Sequence, residues 1–256
     1  MTVALGRVQV PATDDDEARR HKAAEVLARR ILDDAAEEGL QPGDQLIPEA
    51  QMIRLYGAGR ASIREALRIL ETHGVVSIRP GRGGGPVLQS LRAREVASTF
   101  RLFFQQRQAT FADVLEARLE IEPPLARMAA TRCSPEGRER VLTLLRSYLD
   151  IGMDDLPALG VVSHRLTIAL STCAANPALS TVSIALRDVY SWKVHSWFED
   201  PSYWRPTRRG MQALVSAVVS GDAGAAEAAQ VSLCSREARF AKKHFPWVLS
   251  ETVRWE

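Results

Sequence analysis

Gly59–Leu70 reads GRASIREALRIL, and this stretch decides the fold because it carries an apolar stripe and a basic ridge in one short segment. At about 100° per residue, Ile63, Ala66, Leu67 and Leu70 gather on one face of a helix, while Arg60, Arg64 and Arg68 follow one another at i, i+4 and i+8 along a flank. One side suits packing and the other suits phosphates or base edges. Taken alone, the segment also fits an ordinary amphipathic helix with solvated arginines, and its neighbours decide between the two. His73-Gly74 ends the helix, since glycine tolerates the left-handed conformation after a last turn. Val75–Arg79 then has the β-branched composition of a strand, Pro80–Pro86 (PGRGGGP) forms a turn, and Val87–Gln89 returns as a second strand. Helix followed by basic hairpin is the pattern of a winged helix-turn-helix. A phosphate-cradling loop is the rival for the glycines, but no GxxxxGK[ST] motif and no strand-to-helix context accompany them.

Charge supports the nucleic-acid reading. The net formal charge is only +2, but between Met52 and Arg94 there are eight arginines (54, 60, 64, 68, 79, 82, 92 and 94) against Glu65 and Glu71, a local +6. With 256 residues, 46% of them apolar, the chain has room for one or two domains with substantial cores. Cys133, Cys173 and Cys234 are odd in number, widely spaced and set in helical patterns, so they read as reduced core thiols of a cytoplasmic protein. No apolar run is long enough for a membrane span, and the N-terminal residues lack a signal-peptide pattern.

Upstream, residues 1–17 end in an acidic run and read as a mobile arm. Residues 18–38 form a first helix closed by Gly39, residues 45–47 a short strand, and Pro48–Tyr56 a second helix. The recognition helix starts at Arg60 or, if Ser62 and Glu65 act as a capping box, slightly later. The winged helix-turn-helix thus occupies residues 18–90. Beyond it, residues 91–256 show helical periodicity throughout. Ser134-Pro135-Glu136 and Asn176-Pro177 are cap-then-proline starts, and Pro123-Pro124 is expected to kink or restart its helix. Six to seven helices over this length bury a core only as an all-α bundle. The fold class is therefore mainly α, with a small β-hairpin wing at the N-terminal domain.

Leu46-Ile47-Pro48-Glu49 followed by GRASIREALRILETHGVVSIRPGRGGGPV resembles the winged-helix domain of GntR-family bacterial transcription regulators, over about residues 20–90. In that family the arginines matching Arg60 and Arg64 meet DNA, as does the wing glycine matching Gly81. The resemblance implies a DNA-binding set of Arg60, Ala61, Ser62, Arg64 and Arg68 on the helix, with Arg79, Gly81 and Arg82 from the wing. Two positions depart from the family: Gly59 stands where Ser or Thr is usual, and Ala50 where an arginine often contacts DNA.

The helical half resembles the FCD ligand-binding domain of the FadR branch. The resemblance is carried by Val114–Pro123 (VLEARLEIEP), Ala129-Ala130, His164, Asn176–Leu179 (NPAL) and Gly221-Asp222 before Ala225-Ala226. It implies a homodimer, a pseudo-palindromic DNA operator, and a small-molecule effector, an organic acid or acyl compound, inside each bundle. A repressor released by that effector is the expected function. Many FCD domains hold a divalent metal through an acid four residues before a histidine and two later histidines 22 apart; the matching positions here are Gly160, His164, Met211 and Leu233. One imidazole cannot hold a transition metal that needs three or four donors, so no metal and no other cofactor is expected. A regulator with its metal ligands moved elsewhere is the alternative within this class.

The resulting effector set is Arg118, His164, Trp192, Met211 and Leu233. Arg118 either anchors an acidic effector or pairs with Glu122 one turn away, and His164 either contacts effector or is a satisfied core histidine. Trp192 lies in the aromatic-rich segment with Tyr190, His195 and Trp197, which serves core, dimer contact or pocket. An enzyme using His164 and a cysteine is the rival class, but no Ser/His/Asp, paired-carboxylate or metal constellation supports it.

Overall fold

The computed structural model describes residues 14–81, 83–89, 93–193 and 200–255. It divides the chain into two compact units, Met1–Arg92 and Ala93–Glu256. In the first unit, α1 spans Asp14–Glu37, α2 Glu49–Tyr56 and α3 Arg60–Thr72, followed by the antiparallel strands β1 Val76–Arg79 and β2 Gly85–Leu88. The expected arm falls largely outside the described residues, and its acidic run Asp14–Glu17 instead forms the first turn of α1. Acidic residues favour the first turn of a helix, where the backbone dipole is positive.

The apolar stripe of α3 is the centre of this unit. Ile63, Ala66, Leu67 and Leu70 are all buried, against Leu27, Ala28 and Ile31 of α1, Met52 of α2 and Val76 of β1. Each large aliphatic side chain so buried contributes about 1.5–3 kcal/mol. Gly57, at φ +60°, ends α2 in the left-handed region, and Gly59 in extended backbone is the N-cap of α3. The helix therefore starts at Arg60, and Ser62 and Glu65 lie within it rather than capping it. The strand expected at residues 45–47 reduces to one bridge, Gln45 to Val87, supported by Leu46 N–H donating to the Pro86 carbonyl at 2.9 Å.

The second unit is all helical: α4 Ala93–Gln106, α5 Phe111–Arg132, α6 Pro135–Asp150, α7 Leu156–Cys173, α8 Pro177–Lys193, α9 Pro201–Ser220, α10 Ala223–His244 and α11 Pro246–Ser250. Eight helices are described where six or seven were expected, the addition being α11 behind Pro246. Ser134 caps α6 by accepting from Gly137 N–H at 3.1 Å, and Asn176 accepts from Leu179 N–H at 3.1 Å, as their cap-then-proline patterns imply. Pro123-Pro124 does not restart its helix: α5 runs through the pair as a single helix. The carbonyls that lose their helical partners belong to Leu119 and Glu120, both exposed residues. α9 starts at Pro201, capped by Asp200, and carries Pro206 inside it.

Two apolar clusters form the bundle's core. One surrounds Tyr148, Leu166, Trp204 and Val215; the other surrounds Phe111, Val114, Val189 and Ala241. α5 contributes Val114 and Leu115 to the second cluster and Leu125 and Ala126 to the first. Arg118 and Glu122 lie between these positions, so a polar layer interrupts the core there. Cys133, Cys173 and Cys234 are buried free thiols.

Candidate functional site

The outward side of α3 presents Arg60, Ala61, Ser62, Arg64 and Arg68, all exposed, opposite its buried stripe. The arginines differ in how they are held. Arg64 donates from Nε alone to Glu49 Oε2 at 3.1 Å, with the side chain 67% exposed. Arg68 donates from Nε and Nη2 to the two carboxylate oxygens of Glu65, at 3.1 and 3.0 Å. That bidentate pair lowers the Glu65 carboxyl below its ordinary range through the hydrogen bond from Arg68. Arg79 closes β1 at an exposed position, and Gly81 sits at φ +100°, where only glycine is comfortable. Arg82 lies outside the described residues.

Gln45, which the sequence did not mark, holds the tip of the hairpin. Its Nε2 donates to the Gly84 carbonyl at 3.0 Å and more weakly to that of Gly83 at 3.4 Å. A Cβ on Gly84 would lie 2.2 Å from the Arg79 carbonyl oxygen, so the path of the tip admits no larger residue. The turn glycines are thus needed for the shape of the tip.

The polar layer of the bundle is a four-charge network. Arg118, 1% exposed, donates from Nε to Glu122 Oε1 at 2.8 Å and from Nη1 and Nη2 to Glu237 at 3.1 and 2.9 Å. Its guanidinium also sits 5.1 Å from the centre of the Tyr190 ring. Glu122 Oε2 accepts from Arg187 Nη2 at 2.6 Å, Gln230 Nε2 at 2.7 Å and the Cys234 thiol at 3.3 Å. Burial pushes the Glu122 carboxyl up, but Arg118 and then Arg187 outweigh it and hold it at about 2. The Cys234 thiol is driven upward, first by burial and then by Glu122, which leaves it a poor nucleophile.

Two adjoining cavities flank this network and share a wall of Ser163, Thr167, Arg187, Tyr203 and Glu237. The inner one, about 60 Å³, reaches Glu122, Gln230, Met211 and Leu233; the outer one, about 690 Å³, reaches Gly160, His164 and Asp188. Of the residues expected to meet an effector, His164 therefore lines the outer cavity and Met211 and Leu233 the inner one. The Trp192 side chain, like His195 and Trp197, lies outside the described residues. Arg118 lines neither cavity, and its donors are spent on Glu122 and Glu237. Arg187 is the cation common to both cavities, with Arg101 and Arg165 on the outer one alone; Arg187, Gln230 and Glu237 were missed. Gln230, Cys234 and Glu237 recur at i, i+4 and i+7 on α10, and this polar stripe was the available signal.

The four positions that would carry a metal do not supply a donor set. Gly160 has no side-chain donor, Leu233 offers only methyls, and the Met211 thioether is a weak ligand. His164 Nε2 faces Asp188 Oδ1 at 3.8 Å. Among the described residues no three His, Cys, Asp or Glu are grouped to hold a metal ion. These residues do not fit the family's metal.

Comparison with known proteins gives the two units separate matches. Residues 23–84 match the model of the bacterial regulatory proteins of the gntR family, and residues 113–233 that of the FCD domain. The HTH-type transcriptional regulator Mce2R of Mycobacterium tuberculosis is 26% identical, over 82% of this chain and 88% of its own. The HTH-type transcriptional repressor NanR of Salmonella bongori is 29% identical, over 63% of this chain and 65% of its own. Among solved structures, Streptococcus agalactiae GntR superposes with a TM-score of 0.67 at 19% identity, covering 84% of this chain and 99% of that one. That likeness concerns the fold. None of the described helices is long and apolar enough to cross a membrane.

Proposed function

Since the chain belongs to the gntR family of transcriptional regulators and joins that DNA-binding domain to an FCD ligand-binding domain, we propose that it acts in the cytoplasm as a homodimeric repressor. Its operator is pseudo-palindromic, and a small acidic or acyl metabolite bound in the helical unit releases it. The observation that carries this reading is α3 itself: a rigid 13-residue helix whose buried stripe leaves Arg60 and Arg64 on an exposed side. At about 1.5 Å per residue such a helix is about 20 Å long, and a B-DNA major groove about 12 Å wide admits it. Two copies about one DNA turn apart require two-fold symmetry, which is why a dimer and a palindrome go together. The repressor NanR, 29% identical, supports the direction of control.

Selection of bound duplexes from a random-sequence pool tests this directly. The expected result is a pseudo-palindrome with half-sites about 10 base pairs apart, centre to centre, bound with an affinity that falls steeply with salt. A selected motif without symmetry would sink the dimeric reading, and failure to select any motif would sink the regulator.

The metal-position residues give a second expectation. Chelator treatment leaves operator affinity and effector response unchanged, and elemental analysis finds no stoichiometric transition metal. About one Zn, Ni or Mn per chain would overturn it and favour a regulator with relocated ligands.

A further inference from the structure

We propose that Arg187 is the anion anchor of the cavity, in place of a metal, and that the ligand is a monocarboxylate with a small apolar body whose carboxylate draws Arg187 away from Glu122. The inference rests on the reading of the helical unit as effector-binding and adds the residue, the ligand class and the exchange that binding causes. Arg187 belongs to both cavities, and its side chain is 23% exposed where that of Arg118 is 1% exposed. Only Nη2 is committed, to Glu122 at 2.6 Å. The Nε atom is buried and has no hydrogen-bond partner. A guanidinium presents Nε and one Nη as a fork that matches a carboxylate. Arg187 therefore brings a positive charge to the cavity wall together with one buried donor that no acceptor fills.

Glu122 is built to release this arginine. Its carboxylate also accepts from Arg118 at 2.8 Å, from Gln230 at 2.7 Å and from the Cys234 thiol at 3.3 Å. A carboxylate with one partner would be left buried and unpaired by the exchange; this one keeps three donors. The rest of the ligand is set by the inner cavity, where Leu125, Ala126, Leu170, Met211, Leu214 and Val218 supply an apolar lining. With about 60 Å³ before any adjustment, that space takes a few carbons. A second chelating oxygen on the ligand has no metal to meet at Gly160, His164, Met211 and Leu233.

The test uses the full-length protein, treated with chelator, and the straight-chain monocarboxylates from propionate to octanoate, each beside its uncharged primary amide. Titration calorimetry and thermal shift are read together. At least one acid is expected to raise the melting temperature progressively with concentration and to bind at least thirtyfold more tightly than its amide. In Arg187→Gln the same acid loses at least thirtyfold in affinity. Arg187→Lys, which keeps the charge but not the fork, falls between. Equal binding of acid and amide overturns the proposal, as does wild-type affinity in Arg187→Gln. If Arg187→Gln does not fold, Arg187→Lys decides: acid affinity equal to wild type refutes the fork, and a loss supports it. Absence of binding by every acid, in a preparation that selects its operator, refutes this ligand class while leaving the regulator intact.

Discussion

Arg118→Leu lowers the melting temperature of the helical unit by on the order of 10 °C, because it leaves Glu237 and part of Glu122 without their counter-charge inside the bundle. Breaking a buried ion pair by removing one partner costs about 3–5 kcal/mol, and each kcal/mol shifts a domain of this size by about 2–4 °C. Arg118 is a strong case, since it spends Nε, Nη1 and Nη2 on two carboxylates and its guanidinium lies over Tyr190. The double variant Arg118→Leu with Glu237→Gln should recover part of the loss, because the orphaned charge is then gone. Acid supplies an independent check. The Glu122 carboxyl, held at about 2 against an ordinary 4.5, contributes stability that is complete above pH 4.5 and is lost as pH falls toward 2. Wild type should therefore lose stability across that window, and Arg118→Leu should show a shallower loss because the carboxyl is less depressed. Thermal denaturation followed by circular dichroism between pH 2 and 7 measures both effects. An unchanged melting temperature combined with a lost effector response would instead make Arg118 a ligand anchor.

Whether Arg118 meets ligand or pairs with Glu122 was the open question at the sequence level, and the partners it has in the bundle show where sequence reading stops. The stripe of α3 was legible because its four residues repeat with the helix period and all face one core. The hairpin was legible because glycine and proline constrain backbone wherever they stand. Glu122 was legible as a partner of Arg118, being one turn away on the same helix. Glu237 lies 119 residues from Arg118, and Arg187 lies 65 from Glu122. Those pairings are fixed by the register of α8 and α10 against α5, to which local periodicity is blind. The polar stripe of α10 showed that a face needed partners without showing which. That the helix continues past Pro123-Pro124 was hidden for a related reason: the cost of the prolines depends on whether the freed carbonyls meet water, which is a property of the assembled bundle.

On the DNA side, Arg64→Ala weakens binding to the selected operator by about 10- to 100-fold and erases discrimination at one base pair of each half-site, while Arg68→Ala costs only a few-fold. A good bidentate contact from arginine to guanine O6 and N7 is worth about 1–3 kcal/mol of discrimination. The two residues stand one turn apart on α3 and would look interchangeable by spacing. Their environments separate them. Arg64 is pinned by Nε to Glu49 at 3.1 Å, which orients the guanidinium and leaves both terminal nitrogens for a base edge. Arg68 has Nε and Nη2 on Glu65, so one edge of its fork is already taken by a carboxylate. Both pairs are exposed and contribute little to stability, so neither variant should change the melting temperature of the DNA-binding unit by more than about 2 °C. Glu49→Ala completes the comparison. It frees Arg64 and removes a negative charge facing the DNA, so affinity for scrambled duplex rises while preference for the operator falls. Fluorescence anisotropy on operator and scrambled duplexes at one fixed salt concentration separates these effects, since a lost phosphate contact weakens both duplexes alike and a lost base contact weakens only the operator. If Arg68→Ala costs as much as Arg64→Ala, the Glu65 pair does not survive docking, and the helix enters the groove on a different flank from the one its ion pairs favour.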